Sequence, residues 1–223
     1  MTHHKPADIE RTSMAIIAAE LRQRGITIPP DREAVVKRVI HTTADFDYAA
    51  NLTFTPRAVA RGVEALQRGT AIVTDTNMAK AGISRPALSK LGSQALCFMA
   101  EEDVARQAKQ QGTTRAAAAI DRAAREHPGA ILAVGNAPTA LFALCDAMEA
   151  GDFRPALVVG VPVGFVNVVE SKERLMDVCE RLGVPAIAAM GRKGGSSVAA
   201  AICNALLYTA AGLLDPKARG WQG

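Results

Sequence analysis

The chain has 223 residues, of which 49% are hydrophobic and 22% charged, so it can bury one substantial core and we expect a single domain over residues 1–223. Aromatic residues make up only 4%, and such an aliphatic core is typical of a parallel sheet covered by helices on both faces. The net charge of +4 is scattered, without a nucleic-acid motif, and no apolar run approaches the roughly 20 residues of a membrane span. We therefore expect neither nucleic acid nor a membrane as a partner, and a cytoplasmic location.

The cysteines and the N-terminal histidines form no disulfide or metal pattern. The chain contains no C-x-x-C pair and no His/Cys/carboxylate cluster with the spacing of zinc ligands. His3 and His4 lie in the N-terminal segment, and we assign them no metal role. We expect the four cysteines to be small buried hydrophobic residues in a reducing compartment: Cys97, Cys145, Cys179 and Cys203.

Helical and strand-type segments alternate along the chain. Apolar residues at helical spacing, with capping signals, predict helices over residues 6–24, 31–41, 113–125, 138–150, 171–182 and 196–214, and a further helix that begins with Thr55-Pro56 as its N-cap and first turn. Short apolar runs predict strands at residues 71–74, 95–98, 131–134, 157–161 and 186–190. This alternation predicts an α/β fold with a mainly parallel sheet flanked by helices.

Polar residues and glycines concentrate where the predicted strands end. Thr76, Asn77 and Met78 follow the first strand, and Asn136 follows the strand at 131–134. The next strand leads into GVPVGFVNVVESK and the last into MGRKGGSSV. Because ligands of open parallel sheets bind beyond the carboxyl ends of the strands, these segments are the candidate site.

The segment MGRKGGSSV suggests an anion site. Gly194–Gly195 would let the backbone approach a ligand closely, and Ser196 or Ser197 could cap the following helix, whose N–H groups favour anions. Arg192 and Lys193 add positive charge. A carboxylate or phosphate cradle and an ordinary serine-capped turn explain this pattern equally well.

Nucleotide and hydrolase motifs are missing. The chain has no G-x-G-x-x-G, no G-x-x-x-x-G-K-[ST] and no G-x-S-x-G, which argues against a generic nucleotide-dependent α/β enzyme.

His41 is the candidate histidine for proton transfer. It lies near a predicted helix C-terminus in RVIHTTADFDYA, four residues before Asp45. The helix C-terminus and the Asp45 carboxylate both favour the imidazolium form. Titration near neutral pH suits proton transfer, although a capping or core histidine would explain the same local sequence. His127, between Glu126 and Pro128, is interpreted as a surface residue at a helix end.

Together these segments resemble one family. RVIHTTADFDYA, TDTNMAKAGI, VGNAPTALF, VGVPVGFVNVVESKERL and GRKGGSSVAAAICNALLY, with IERTSMAII near the N-terminus, are similar in this order to blocks of the precorrin-8X and cobalt-precorrin-8 methylmutases. The resemblance covers nearly the whole chain.

The resemblance implies a Rossmann-like three-layer sandwich, a homodimer and an isomerase of cobalamin biosynthesis. Such an enzyme moves a methyl group from C-11 to C-12 of a tetrapyrrole-derived polycarboxylate, giving hydrogenobyrinate or, with cobalt, cobyrinate. The catalytic histidine of the family falls on His41, which would protonate or hydrogen-bond a ring nitrogen. No cofactor is expected. The alternative is a corrinoid-binding carrier without catalysis.

A flat substrate edged by carboxylates needs apolar walls and a rim of donors. For the rim we predict Arg192, Lys193, Gly194, Gly195 and Ser196, followed by Arg11, Ser13, Thr42, Thr43, Thr76, Asn77 and Asn136. For the walls we predict Met78, Val163 and Phe165.

Overall fold

The protein, described over residues 5–219 by a computed structural model, is built on a sheet of six strands in the order β1-β6-β5-β4-β2-β3. The strands are β1 Leu52–Phe54, β2 Ile72–Thr74, β3 Ala95–Leu96, β4 Ile131–Val134, β5 Leu157–Gly160 and β6 Ala186–Ala189. Only β1 runs antiparallel to its neighbour, and all other pairs are parallel. The predicted mainly parallel sheet is confirmed.

Helices cover both faces of this sheet. They are α1 Pro6–Gln23, α2 Glu33–Thr43, α3 Tyr48–Asn51, α4 Ala58–Gln67, α5 Asn77–Gly82, α6 Arg85–Lys90, α7 Glu102–Gln111, α8 Arg115–Glu126, α9 Pro138–Ala150, α10 Val168–Leu182 and α11 Ser196–Ala211, followed by a short 3₁₀ turn at Pro216–Arg219. One layer contains α11 with α2, α4, α5 and α6 packed on it, and α1 beside α2. The other layer contains α7 to α10.

Successive strand residues enter opposite cores, which is why the strands are apolar throughout. In β4, Ile131 and Ala133 pack in the α11 layer, whereas Leu132 and Val134 pack in the α7–α10 layer. Side chains of a strand alternate between the two faces, so a strand covered on both sides needs a continuous apolar run.

At the β1 edge one strand is missing from the predicted elements and one prediction is wrong. No strand is predicted there, yet Leu52–Phe54 pairs with β6. Thr55 does not cap α4: its N–H donates to the carbonyl of Ala186 at 3.0 Å and its hydroxyl accepts from the Ala186 amide at 2.8 Å. The helix begins at Ala58, after Arg57 in the left-handed conformation. Thr55 therefore continues the edge pairing instead of starting a helix.

Other boundaries also shift. The predicted strand at 95–98 contains only two paired residues, and α10 begins at Val168 instead of residue 171. Helices α3, α5, α6 and α7 have no counterpart in the predicted elements. All four cysteines are buried and free, as predicted. Between residues 5 and 219 no helix could cross a membrane and no cluster of potential metal ligands occurs; His3 and His4 lie outside the described residues.

Candidate active site

Four neighbouring parallel strands, β6, β5, β4 and β2, end at one edge of the sheet, and their following loops converge there. The hydroxyls of Thr76, after β2, and Ser196, after β6, lie 2.7 Å apart although 120 residues separate them in the chain. A Cβ on Gly135, after β4, would lie 2.8 Å from the Cα of Ser196. The candidate loops therefore form one contiguous surface, as the strand-end argument predicts.

Asp75 holds two of these loops together. It is buried, and its carboxylate accepts the N–H groups of Gly135, Asn136 and Ala137 at 2.8, 2.7 and 2.8 Å. Burial raises the pKa of Asp75, against the lowering effect of these three donors. Sequence reasoning missed this residue, although a carboxylate directly after a buried strand was visible in TDTNM.

The loop after β6 packs closely on the loop after β5. The amide of Gly195 donates to the carbonyl of Val161 at 2.8 Å, and a Cβ on Gly194 would lie 2.1 Å from that oxygen. The predicted serine cap is wrong, because Gly195 is the N-cap of α11 and no side chain caps this helix. Ser196 is the first helical residue and pairs with Thr76 instead. The uncapped first turn of α11 thus leaves its backbone N–H groups at this edge.

Lys193 is tied to the end of α2. Its ammonium group donates to Asp45 and Asp47, each at 2.6 Å, and these bonds raise the pKa of Lys193 to about 12. Asp45 therefore pairs with Lys193 and not with His41, although the two residues are close in sequence. The ion pairs connect the β6–α11 loop to the α2–α3 connection.

His41 lies in the last turn of α2 with its side chain exposed. On one side it lines a groove of about 270 Å³ together with Arg38 and residues of α11 that include Ser197 and Asn204. On the other side it lines a groove of about 460 Å³ with Ser13 of α1. His41 thus stands at the border of two open spaces beside the N-terminal half of α11.

The expected bias of His41 toward imidazolium is wrong. Partial burial lowers its pKa, and the positive charges of Arg38 and Arg219 lower it further, whereas the carboxylate of Glu10 raises it. Glu10 is buried and accepts hydrogen bonds from Arg38 at 2.7 Å and from Arg219 at 2.6 Å. The pKa of His41 is therefore set by desolvation first and by the charges of this cluster second, and not by Asp45.

The predicted apolar wall residues are exposed at the same edge. Met78, Val163 and Phe165 are 72%, 47% and 83% exposed, large values for such side chains. The guanidinium of Arg192 lies 5.3 Å from the centre of the Phe165 ring. A basic group over an exposed aromatic ring offers both a flat apolar contact and a positive charge.

The remaining predicted residues divide between the site and the surface around it. Thr42 and Thr43 donate to the carbonyls of the preceding turn, and Ser13 does the same on α1. Asn136 is exposed at the end of β4. Arg11 forms a surface ion pair, and Asn77 lines a different groove of about 480 Å³.

Sequence reasoning did not select several residues that the fold brings to the site: Arg38, Lys172, Asn204 and Tyr208. Arg38 precedes His41 by one helical turn, a spacing that could have indicated it. The residues of α11 and Lys172 carry no such local signal.

The fold and this edge define a Rossmann-like α/β protein whose site joins a histidine to basic, amide and apolar groups. The family model for precorrin-8X methylmutase matches residues 8–209. The chain is 45% identical to a cobalt-precorrin-8 methylmutase of Salmonella typhimurium, over 92% of this chain and 95% of that one, and 42% identical to a precorrin-8X methylmutase of Pseudomonas aeruginosa, over 89% and 93%. A crystal structure of precorrin-8x methyl mutase from Thermus thermophilus superposes with a TM-score of 0.82 at 40% identity, covering 92% of this chain and 98% of that one.

The chain belongs to the precorrin-8X methylmutase family. It is thus an isomerase of cobalamin biosynthesis, of the class that transfers a methyl group within one molecule.

Proposed function

We propose that this protein moves the methyl group at C-11 of precorrin-8X or cobalt-precorrin-8 to C-12, with His41 as the acid. The bond between the methyl carbon and C-11 breaks and a bond to C-12 forms, while the conjugated double bonds shift. Substrate and product are isomers, so the proton that His41 lends to a ring nitrogen returns to it. The observation that carries the proposal is the position of His41, exposed between two grooves and beside the strand-end surface.

The lowered pKa of His41 fits this role once the substrate is bound. In the free protein partial desolvation of the imidazole and the charges of Arg38 and Arg219 favour its neutral form. A ring that brings several carboxylates to this surface adds negative charge, which raises the pKa and favours the imidazolium form. The acid is then generated where the substrate is bound, and a positioned acid contributes on the order of 10²–10⁴-fold to a rate.

The surface around His41 matches a flat ring with an acidic rim. Phe165, Val163 and Met78 supply exposed apolar area for the face of the ring. Arg192 and the first turn of α11 supply donors for peripheral carboxylates. In this proposal Arg192, Gly195, Ser196 and the three wall residues contact the substrate.

The experiment is conversion of precorrin-8X, followed by absorbance with purified protein and no added cofactor. We expect His41→Ala to lose conversion and retain binding of hydrogenobyrinate, whereas His127→Ala, which changes a histidine at the C-terminal end of α8, keeps both. Unchanged turnover in His41→Ala would show that His41 is not the acid of the reaction. Tight product binding by the wild type without any conversion would instead favour a corrinoid carrier.

Similarity does not choose between the metal-free and the cobalt-containing substrate, because relatives with both names are 42% and 45% identical. Parallel assays with precorrin-8X and cobalt-precorrin-8 decide this point. The homodimer and the cytoplasmic location also belong to the proposal. Sedimentation velocity tests the first, and cell fractionation tests the second.

A further inference from the structure

Lys172, on α10, is a charged side chain that the proposed mechanism does not use. It is 0% exposed and is the largest fully buried side chain of the described residues. Its ammonium group donates to the carbonyls of Gly191 at 2.9 Å and Lys193 at 2.8 Å. Both acceptors belong to the loop between β6 and α11, so Lys172 supports that loop from beneath.

Within residues 5–219 no carboxylate forms an ion pair with Lys172, and burial alone lowers its pKa to about 8. Burying a cation without a counter-ion is costly, and an apolar side chain of the same length would fill the space without that cost. The neutral amine could still donate two hydrogen bonds to the same two carbonyls. Positioning of the loop therefore does not by itself require the charge.

The charged groups on the surrounding elements are paired with other residues and not with Lys172. In the loop above, Lys193 is bound to Asp45 and Asp47, and Arg192 lies over Phe165. The Lys193 ammonium also lies over the ring of Tyr48, 6.0 Å from its centre.

The carboxylates of the neighbouring helix α9, Asp146 and Glu149, are paired with Arg174 on the outer side of α10. The positive charge of Lys172 is thus left uncompensated below a loop whose own lysine is already neutralised. An anion bound above the loop would supply the missing opposite charge.

We propose that Lys172 is a positioning residue of the substrate site: its buried ammonium holds the loop of residues 190–195 in place and lets the site bind carboxylates of the macrocycle with uptake of a proton. This inference rests on the proposed function, since it assumes that the carboxylate rim docks on that loop. A bound anion favours protonated Lys172, so binding and protonation strengthen each other.

The test is calorimetry of hydrogenobyrinate binding in two buffers of different ionisation enthalpy, done in the His41→Ala protein so that His41 contributes no proton. With a free-state pKa near 8, about half a proton should be taken up at pH 8 and almost none at pH 6.5. The affinity should fall about tenfold between pH 7 and pH 9.

Lys172→Met in the same background should abolish both the proton uptake and the pH dependence of affinity. Lys90→Met, which removes an exposed lysine at the end of α6, is the matched control and should leave both unchanged. If Lys172 had a purely structural role, another group would take up the proton. Lys172→Met would then bind hydrogenobyrinate more weakly but would show the same proton uptake as the His41→Ala protein.

If Lys172→Met does not fold, the His41→Ala protein still decides the matter. Absence of proton uptake at pH 8, with hydrogenobyrinate bound, overturns the inference on Lys172 and leaves the proposed function intact. Failure of the wild-type protein to bind hydrogenobyrinate or to convert precorrin-8X would instead overturn the proposed function.

Discussion

Replacement of Glu10 by alanine should destabilise the protein strongly. The carboxylate of Glu10, on α1, is shared by Arg38 of α2 and Arg219 of the final turn. The side chains of the three residues are 6%, 12% and 6% exposed. Removing one partner of a buried ion pair costs about 3–5 kcal/mol, because the remaining charge stays desolvated. For a chain of this size the melting temperature should fall by about 6–20 °C.

Urea denaturation of Glu10→Ala against the wild type measures this loss, with Asp8→Ala as control. Asp8 forms an exposed ion pair with Arg11 on the same helix, so its removal should cost less than about 1 kcal/mol. A loss in Glu10→Ala no larger than in Asp8→Ala would refute the reasoning.

The destabilisation should also depend on pH with a defined sign. The two arginines hold the pKa of Glu10 below its ordinary value of 4.5, although burial raises it. A carboxyl group with a lowered pKa stabilises the fold fully above its unfolded pKa, and the contribution is lost as pH falls through the folded pKa. The gap between wild type and variant should therefore narrow below pH 4.5. In the same variant the pKa of His41, followed by NMR, should fall further, since Glu10 is the group that raises it.

Three further changes test the strand-end surface. Gly194→Ala places a Cβ 2.1 Å from the carbonyl oxygen of Val161, so the loop must shift; we expect weaker product binding and a lower melting temperature, and an unchanged crystal structure of the variant would contradict this. Asp75→Asn lacks the acceptor capacity for all three amides that Asp75 binds and should lose about 1–3 kcal/mol of stability, measured by denaturation. Wild-type stability in this variant would show that these three hydrogen bonds do not hold the two loops together. Phe165→Ala should change stability by no more than about 0.5 kcal/mol because the ring is 83% exposed, yet weaken hydrogenobyrinate binding about tenfold, and equal affinity in a titration would remove it from the wall.

Two elements with strong local signals have the predicted bounds. The strand at Ile131–Val134 and the helix Pro138–Ala150 match residue for residue. A proline in the first helical turn and a glycine in the left-handed conformation just after the last turn delimit that helix, and both are local features. The strand Leu52–Phe54 could not be predicted in this way, because three residues carry no period and their conformation depends on pairing with β6.

The candidate site shows the same division. Strand-end loops were predicted to converge because parallel strands place their carboxyl ends at one edge, and Thr76, Gly135 and Ser196 do meet there. The position of Asp45 in the sequence predicts the wrong protonation preference for His41. Asp45 bonds to Lys193, 148 residues away, and the pKa of His41 is lowered instead by desolvation in the fold and by Arg38, one turn earlier in the same helix.

The order of apolar runs and breakers thus determines that this chain forms a parallel sheet between two helical layers, with His41 near a helix end, since both depend on neighbours a few residues away. The charges around the site are decided only in the folded molecule. A side chain's pKa depends on what lies within a few ångströms, and for Lys172 and Glu10 those neighbours come from 19 to 209 residues along the chain.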